Sequence, residues 1–437
     1  MRLRIVLWVT MWFPVLGAAG ALAAESSLPV ENLAGLVETA LANNPELKAS
    51  QARWQMFANR ARQASSFEDP MLMLKLQNAL ERDPLAFDRD PQTARVVGIS
   101  QQIPFWGKRA FRQEVAEYEA ESYRWQVAER RLELTRMVKE TYYQLYGVDK
   151  ALAITGENLR LLADLVKVAE SRYAVGQGMQ QEVYKAGLQR AGMLDMQISL
   201  QQQRKSLEAT LNALLYRPGT TPVGGIADFA LPKVALSAGQ LNELALAQRP
   251  QLQSLTMLTN KGKAARRLAQ REYYPDFNLS FEYMFREESM NDPGYNMVSA
   301  AVTFNLPFQQ ERRRAMLDES AAETTMATEE LNALKNTMAL AINDTLAQME
   351  RRQRLVELYR GAIIPQAEHA MESALISYRV NKGDFFTVLD SRMALFAYQR
   401  ELADSLAEYM IKLAQLEATV GGELPLPSPA EPAHHHH

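Results

Sequence analysis

Four short segments of the chain alternate apolar and polar side chains with a period of two. In the clearest one, FNLSFEYMF at residues 277–285, the odd-numbered positions are aromatic or aliphatic and the even-numbered positions are polar or methionine. A period of two places the two sets on opposite faces of a β-strand. Each strand has roughly 8–11 residues and so matches the length of a tilted membrane-spanning strand, although a strand half-buried in a soluble core would alternate in the same way. The predicted strands span about 70–80, 94–105, 276–286 and 296–307.

Long runs of strong helix formers follow each pair of strands. Between Lys108 and Val175 there is no proline, and only Gly147 and Gly156 interrupt the run. At 1.5 Å per residue this helix would be about 100 Å long, so it needs a neighbouring helix along its length. In the matching run of the second half, Gly361 and Pro365 predict a kink. The predicted long helices span about 108–175, 180–216, 310–379 and 387–420.

The chain contains an internal duplication. The segment NPELKAS, which begins at Asn44, aligns with RPQLQSL, which begins at Arg249, a separation of 205 residues. The same separation places Tyr173 on Tyr378 and Gly178 on Gly383, and such self-similarity indicates one structural unit present twice. The predicted organisation is a first repeat at 25–216, a Pro- and Gly-rich linker at 217–240, a second repeat at 241–424, and a tail at 425–437 that ends in four histidines.

Composition removes several classes of function. The 437 residues carry a net charge of −3 and no cysteine, and His369 is the one histidine outside the terminal run. A nucleic-acid partner is therefore not expected, and neither are disulfides, a thiolate metal site or a cysteine nucleophile. No HExxH motif is present, a Ser-His-Asp set is implausible with a single histidine, and Glu68 and Asp69 are adjacent rather than set across a cleft. We expect no enzyme activity, no cofactor and no metal site, and we interpret most of the 20 methionines as core residues.

The first 24 residues have the features of a secretory signal peptide. Arg2 and Arg4 precede an apolar run that ends with Ala21 and Ala23 in an A-x-A arrangement. No later apolar stretch reaches the ~18 uncharged residues that a membrane helix needs. The protein is therefore predicted to be exported, and any segments that span a membrane are predicted to be β-strands.

Taken together, the signal peptide, the duplicated unit, two strands per unit and very long paired helices resemble the TolC family of outer-membrane efflux channels. The two helix-to-helix turns, YAVGQGMQQEVYKA and YRVNKGDFFTVLDS, are similar to that family's periplasmic-tip motif. The starts NPEL and RPQL, and YYPDF further on, also resemble the family, and the likeness extends from about Leu28 to Leu424.

This resemblance implies a mainly α-helical fold with a membrane β-barrel part. Each chain of a homotrimer would give four strands to one closed barrel and its helices to a long periplasmic tunnel. It also implies passive export through the outer membrane of a Gram-negative bacterium, with the barrel in contact with outer-membrane lipid. Substrates would arrive from an inner-membrane efflux transporter through a periplasmic adaptor protein. SQQIPFWGKR and KGDFFTVLD are similar to the cation-efflux branch of the family. The expected substrates are metal cations or drugs.

Candidate gate residues at the periplasmic tip follow from the same resemblance. Glu182 takes the acidic position of the first tip motif and Asp390 the second polar position of the other. Tyr173 and Tyr378 are the expected gate partners. Threefold symmetry would turn Asp390 into a ring of three negative charges that favours cations. A solvated helix surface for Asp390, and simple helix packing for the two tyrosines, are the alternative interpretations.

The predicted tip turns contain Gly176, Gly178, Asn381 and Gly383. Asn381 stands where the family has glycine, and Thr387 stands where an acidic residue often lies, so the second turn is expected to differ in its hydrogen bonds. Asparagine still adopts the left-handed conformation more readily than most residues do.

At the end of each strand pair, aromatic residues are followed by basic ones. IPFWGKR supplies Phe105 and Trp106, and LPFQQERRR supplies Phe308. We predict that these three aromatic side chains lie at the membrane interface. The basic residues that open the next helices are interpreted either as a solvated helix face or as contacts to lipid head groups.

Two further functions are compatible with part of the sequence. An exported coiled-coil scaffold without a pore explains the long helices, but it does not explain four alternating strands at duplicated positions. The outer-membrane outlet of a type I protein-secretion system explains all of these features, because the cargo of such a channel is mostly selected upstream.

Overall fold

The computed structural model describes residues 30–289, 291–380 and 382–425. The predicted signal peptide at 1–24, Asn381 and all but the first residue of the predicted tail lie outside the described residues. None of the helices within these ranges combines the length and the apolar character needed to cross a membrane.

Helices dominate the described chain, and the strands occur in two pairs. The first repeat contains α1 Leu33–Asn43, α2 Pro45–Ala64, β1 Met71–Gln77, β2 Ala94–Ile103, α3 Lys108–Ala174 and α4 Gln180–Leu214. The second contains α5 Ala238–Gln248, α6 Pro250–Arg271, β3 Phe277–Phe285, β4 Met297–Phe304, α7 Gln310–Leu358, α8 Ile364–Arg379 and α9 Phe385–Val420. The order of elements is therefore the same in both halves, except that the helix equivalent to α3 is divided into α7 and α8 in the second.

Each half begins with two helices that meet at a proline. The Asn44 side chain caps α2 by accepting hydrogen bonds from the backbone N–H groups of Glu46 at 2.9 Å and Leu47 at 3.3 Å. Pro45 and Pro250 occupy the first positions of α2 and α6, where the missing N–H costs nothing because it would have no partner within the helix.

The four strands form one antiparallel sheet in the order β1-β2-β3-β4. Ile99 of β2 pairs with Leu72 on one side and with Phe281 on the other, and Phe281 pairs in turn with Ala300. The apolar positions of the separate segments therefore stand in register on one face of the sheet. Most of the large side chains on this face are exposed in the single chain. Within the described part of the chain, β1 and β4 are edge strands.

Helix α3 is the centre of the helical body. It packs against α2 and α6 in its first half, where Ser254 donates a hydrogen bond to the Ser122 carbonyl at 3.1 Å. In its second half it packs against α4 and α9. Gly147 allows the close approach of α3 to α9, because a Cβ at this position would lie 3.1 Å from the Cβ of Ala407.

Residues 217–237 contain neither helix nor strand and cross the middle of the long helices; we call this segment the linker belt. On α3, the Tyr146 hydroxyl donates to Asp228 Oδ1 at 3.0 Å. On α9, the Tyr409 hydroxyl donates to the Pro232 carbonyl at 2.5 Å. The belt is therefore fastened to several helices at one level. Residues of the neighbouring helices that contact or pack near it include Arg204 of α4 and Val356 of α7.

A π-helical turn, Tyr359–Ile363, joins α7 to α8. It lies where the sequence predicts a kink, directly before Pro365. Proline has no backbone N–H and its ring crowds the preceding turn, so the regular hydrogen-bond ladder is interrupted at this point.

Lys108 joins the sheet to the helices. Only 1% of its side chain is exposed, and Nζ lies 2.9 Å from Asp276 Oδ1 and 3.1 Å from Glu272 Oε2. Asp276 Oδ1 also accepts a hydrogen bond from the Phe105 N–H at 2.8 Å. The next basic residue, Arg109, donates from Nε to the Ser65 carbonyl at 3.0 Å. Neither sequence-based interpretation, a solvated helix face or contacts to lipid head groups, holds for Lys108, because its ammonium group is buried against carboxylates of the same chain.

Replacement of Lys108 by methionine is expected to destabilise the protein strongly. The change leaves Asp276 and Glu272 without their buried cation, and breaking a buried ion pair from one side costs about 3–5 kcal/mol. Urea unfolding of the detergent-purified protein, followed by tryptophan fluorescence, measures the effect. The control is Lys167→Met, which removes an exposed ion pair to Asp164 and should change the free energy of unfolding by less than about 1 kcal/mol. Equal stability of the two variants would contradict the prediction.

Candidate functional site

The two turns at the far end of the long helices have the same hydrogen-bond geometry. In the first, the Gln177 N–H donates to the Arg172 carbonyl at 2.8 Å. In the second, the Lys382 N–H donates to the Ser377 carbonyl at 2.9 Å. The bonded residues are at equivalent positions of the two repeats, so the duplication seen in the sequence extends to the backbone bonds of the turns.

Glycines allow these turns to fold back on their own helices. A Cβ on Gly178 would lie 3.1 Å from the Cβ of Arg172, and a Cβ on Gly383 would lie 2.9 Å from the Cβ of Ser377. Gly176 has a φ of +74°, a left-handed conformation that glycine adopts without strain. Gly176, Gly178 and Gly383 therefore lie in the turns predicted to contain them, whereas Asn381 is outside the described residues.

Tyr378 is the centre of a buried cluster between the two turns. Its side chain is 3% exposed, and its ring lies 5.5 Å from the ring of Phe385. The guanidinium of Arg172 lies 4.4 Å from the centre of the Tyr378 ring, and its Nη1 donates to the Tyr378 carbonyl at 3.1 Å. Arg172 thus ties the end of α3 to the end of α8.

Glu182, at the start of α4, belongs to the same cluster. Its side chain is 8% exposed. Burial raises the pKa of the Tyr378 hydroxyl, and the negative charge of Glu182 raises it further, so the phenol is protonated at neutral pH. Glu182 Oε2 and the Tyr378 hydroxyl are both buried without good hydrogen-bond geometry to any described group. The two groups lie close enough for Glu182 to act on the pKa of Tyr378, so a buried acceptor lies near a buried donor.

The other two predicted gate residues are not part of this cluster in the single chain. Tyr173 occupies the position equivalent to Tyr378, yet it is 48% exposed. Asp390 is exposed on α9, and its carboxylate makes no ion pair or hydrogen bond to the described residues. The structure thus brings Glu182 and Tyr378 together and leaves Tyr173 and Asp390 on the surface.

Sequence reasoning missed Arg172. The only available signal was an asymmetry between the repeats, because the residue before the tyrosine is Arg172 in one tip motif and Ser377 in the other. A charged side chain that is present in only one repeat can form contacts that join the two repeats.

Acidic residues line one face of α9. Asp390, Glu401 and Glu408 recur at helical spacing, and the linker belt packs on a different face, next to Leu402 and Leu406. Arg352 of α7 pairs with Glu401 at 3.1 Å and with Glu408 at 2.6 Å, whereas Asp390 has no such cation. Within the described ranges, no three acidic or histidine side chains are grouped closely enough to hold a metal ion.

The aromatic residues predicted for the membrane interface lie where the sheet meets the helices. Trp106 and Phe308 are largely exposed. Phe105 is half-buried, because its ring stacks on the ring of Tyr274 with centroids 4.6 Å apart. Trp106 also contacts Phe277, with ring centroids 5.7 Å apart, so the exposed aromatic rings continue the apolar face of the sheet.

Comparison with known proteins finds relatives of this chain among outer membrane export proteins. Two pyoverdine export outer membrane proteins named OpmQ are similar to this chain. The protein from Pseudomonas putida is 24% identical over 405 residues, which cover 88% of this chain and 83% of the relative. The protein from Pseudomonas aeruginosa is 25% identical over 410 residues, which cover 89% and 83%.

Solved structures show the same fold. The outer membrane protein VceC of Vibrio cholerae superposes with a TM-score of 0.75 at 20% identity, over 90% of this chain and 96% of VceC. CusC superposes with a TM-score of 0.76 at 16% identity, over 89% and 92%. These likenesses confirm the predicted fold class, a long helical body with a four-stranded contribution to a barrel.

The model of the outer membrane efflux protein family matches residues 36–215 and again residues 241–422. The two matches begin 205 residues apart, which is the separation of the internal duplication. Because they cover most of the chain, this protein belongs to the outer membrane efflux protein family, and its function is efflux through an outer-membrane channel.

Proposed function

We propose that three copies of the chain close one barrel and one periplasmic tunnel, which conducts substrates passively to the outside. The observation that carries this proposal is the sheet, which has an exposed apolar face and two edge strands in the described chain. In lipid every backbone polar group needs an internal partner, so β1 of one copy would pair with β4 of the next. Twelve strands from three chains would then leave no open edge.

The outer helices of the body support the same assembly. Leu188 and Ile198 on α4 are mostly exposed, as is Leu340 on α7. Helices α4 and α7 flank the packed pair α3 and α9, so they would meet between neighbouring copies. This contact would bury apolar side chains that the single chain leaves in water.

The tip turns would form the inner gate. We infer that Tyr378, Glu182 and Arg172 form a latch that holds the ends of α3, α4 and α8 together. Asp390, which has no cation partner among the described residues, would face the axis and form a ring of three carboxylates. Tyr173 would lie at the rim of the gate, where a neighbouring copy covers it.

The gate would be opened by partners at the same end. We propose that a periplasmic adaptor protein docks on the tip turns and connects the channel to an inner-membrane efflux transporter. The substrates would be small molecules or metal cations, and the proposed ring of Asp390 carboxylates would favour cations over anions. Two relatives are named for pyoverdine export, which favours a small-molecule cargo over a protein cargo.

Asp390→Ala is expected to increase single-channel conductance several-fold and to reduce selectivity for cations, because it removes the proposed carboxylate ring. Planar-bilayer recordings of the detergent-extracted protein measure both quantities. Glu38→Ala is the matched control, since it removes an exposed acid of α1, a helix that packs on the middle of α3. If Asp390→Ala conducts like the wild type while the protein still forms channels, Asp390 does not form the constriction.

Tyr378→Phe and Arg172→Gln are expected to raise the open probability of the channel. The first change removes only the phenolic hydroxyl, and the second removes the cation that bridges α3 and α8, so the second should have the larger effect. The same recordings provide the measurement. Tyr184→Phe is the control, because Tyr184 is an exposed tyrosine close to Glu182 in the same helix. Unchanged gating in both latch variants would argue against the latch.

A further inference from the structure

A groove of about 440 Å³ lies between α3 and α8, with α9 as its floor. It opens a short distance from the tip turns. Its walls are mainly aliphatic, and the groove is within the range of about 300–1,000 Å³ that is typical of small-molecule sites. The aliphatic side chains that line it are Leu161, Leu165 and Val168 of α3, Leu375 of α8 and Val388 of α9.

Arg392 of α9 lines this groove and is unusual for a charged residue. Its side chain is only 7% exposed. Nε donates to Asn158 Oδ1 at 2.7 Å, and the guanidinium forms no ion pair with any described carboxylate. Burial lowers the pKa of Arg392, an effect that the charge of Glu157 partly opposes, yet arginine stays charged at neutral pH.

A buried cation without an acid partner is costly, because the loss of hydration is not repaid by an opposite charge. The polar surroundings of Arg392 are also incomplete. Asn158 is fully buried, and its Nδ2 has no hydrogen-bond partner, as is true of the neighbouring Thr155 hydroxyl. Arg392 therefore places a buried positive charge in the wall of the groove, and the polar atoms without partners among the described residues lie on α3 beside Arg392 rather than in the groove itself.

The remaining charged groups make the groove positive. Arg172 and Arg379 line it together with Arg392, and Asp164 is its one carboxylate. Asp164 lies at the open edge, where its carboxylate is largely exposed and 3.4 Å from Lys167 Nζ. An anion that enters the groove would therefore meet a net positive charge and would not have to displace an internal acid from Arg392.

The groove is also separate from the acidic face of α9. Lys150 of α3 marks the side of the helices that carries the linker belt, because its Nζ lies 2.6 Å from Asp228. Asp164, which lines the groove, lies two heptads after Lys150, so both residues fall on nearly the same side of α3. The groove thus opens on the side of the helices that carries the belt. A ligand would reach it without passing Asp390.

We propose that this groove is a binding site for a small amphiphilic organic anion. The carboxylate or sulfonate of the ligand pairs with the guanidinium of Arg392, and its apolar body lies between Leu165 and Leu375. The aliphatic walls supply the favourable burial of the ligand, and Arg392 selects for its charge.

The test compares 2-naphthoate with its neutral isostere 2-naphthamide by isothermal titration calorimetry on the full-length, detergent-purified protein. Naphthoate is expected to bind and naphthamide to bind at least about ten-fold more weakly, because a hydrogen bond to a charged group is worth a factor of this order. Arg392→Gln keeps a donor for Asn158 but removes the charge, and it should weaken naphthoate binding about ten-fold to a hundred-fold. Arg190→Gln is the control, since Arg190 is an exposed arginine of α4 that does not line the groove.

A second variant tests the groove without changing Arg392, so its result does not depend on how the Arg392→Gln substitution affects folding. Val168→Trp fills the groove from an exposed position of α3 and should abolish naphthoate binding while Arg392 is intact. Equal affinity for naphthoate and naphthamide, or unchanged naphthoate affinity in Arg392→Gln, would overturn the proposal. Binding of the periplasmic adaptor gives a further test. If Arg392→Gln and Val168→Trp bound naphthoate normally but no longer captured the adaptor, the groove would hold a carboxylate of that protein, and the proposal would be overturned. Since the readout is binding rather than conductance, the outcome is independent of the proposed gate.

Discussion

The sheet cannot be completed by the chain that forms it. Its four strands are paired in register, so most of the large apolar side chains lie on one face, and this face has no covering layer among the described residues. The two outer strands carry unpaired backbone groups that lipid cannot satisfy. The proposed closure of the sheet with copies of itself in a membrane would meet both requirements. In such a barrel the helices would leave together from one end, where Lys108 contacts Glu272 and Asp276.

Much of this architecture is predictable because it rests on periodic patterns. Alternation with period two is a local property of the backbone, so FNLSFEYMF specifies its own two faces without reference to the rest of the chain. The proline-free runs and the duplicated tip motifs are equally local. The sequence therefore predicted the fold class and brought attention to the turns at which Tyr378 and Glu182 meet.

The features that sequence reasoning missed depend on contacts between distant segments. In the sequence, Lys108 is one of several basic residues at a helix start, and only the fold shows that Glu272 and Asp276 enclose it. Tyr173 and Tyr378 occupy the same motif position, yet one is exposed and the other is buried. The two repeats are alike in sequence, but residues at equivalent positions have different neighbours, because each repeat packs against the other. Chemistry at equivalent positions has diverged accordingly, with Glu182 opposite Thr387 and Lys185 opposite Asp390 in the alignment.

The linker belt has a mechanical consequence. It fastens α3 and α9 at Tyr146 and Tyr409, and α3 continues from Tyr146 to Ala174 for about 40 Å at 1.5 Å per residue. Between the belt and the tip turns, the helices would move as rigid arms that pivot at the level of the belt. A rotation of about 5° at that level would carry a tip of this length through about 3–4 Å, roughly the width of a hydrogen-bonded contact. Small adjustments around Asp228 and Phe229 would thus be amplified at the far end of the helices, where a displacement of that size is enough to separate the tip turns.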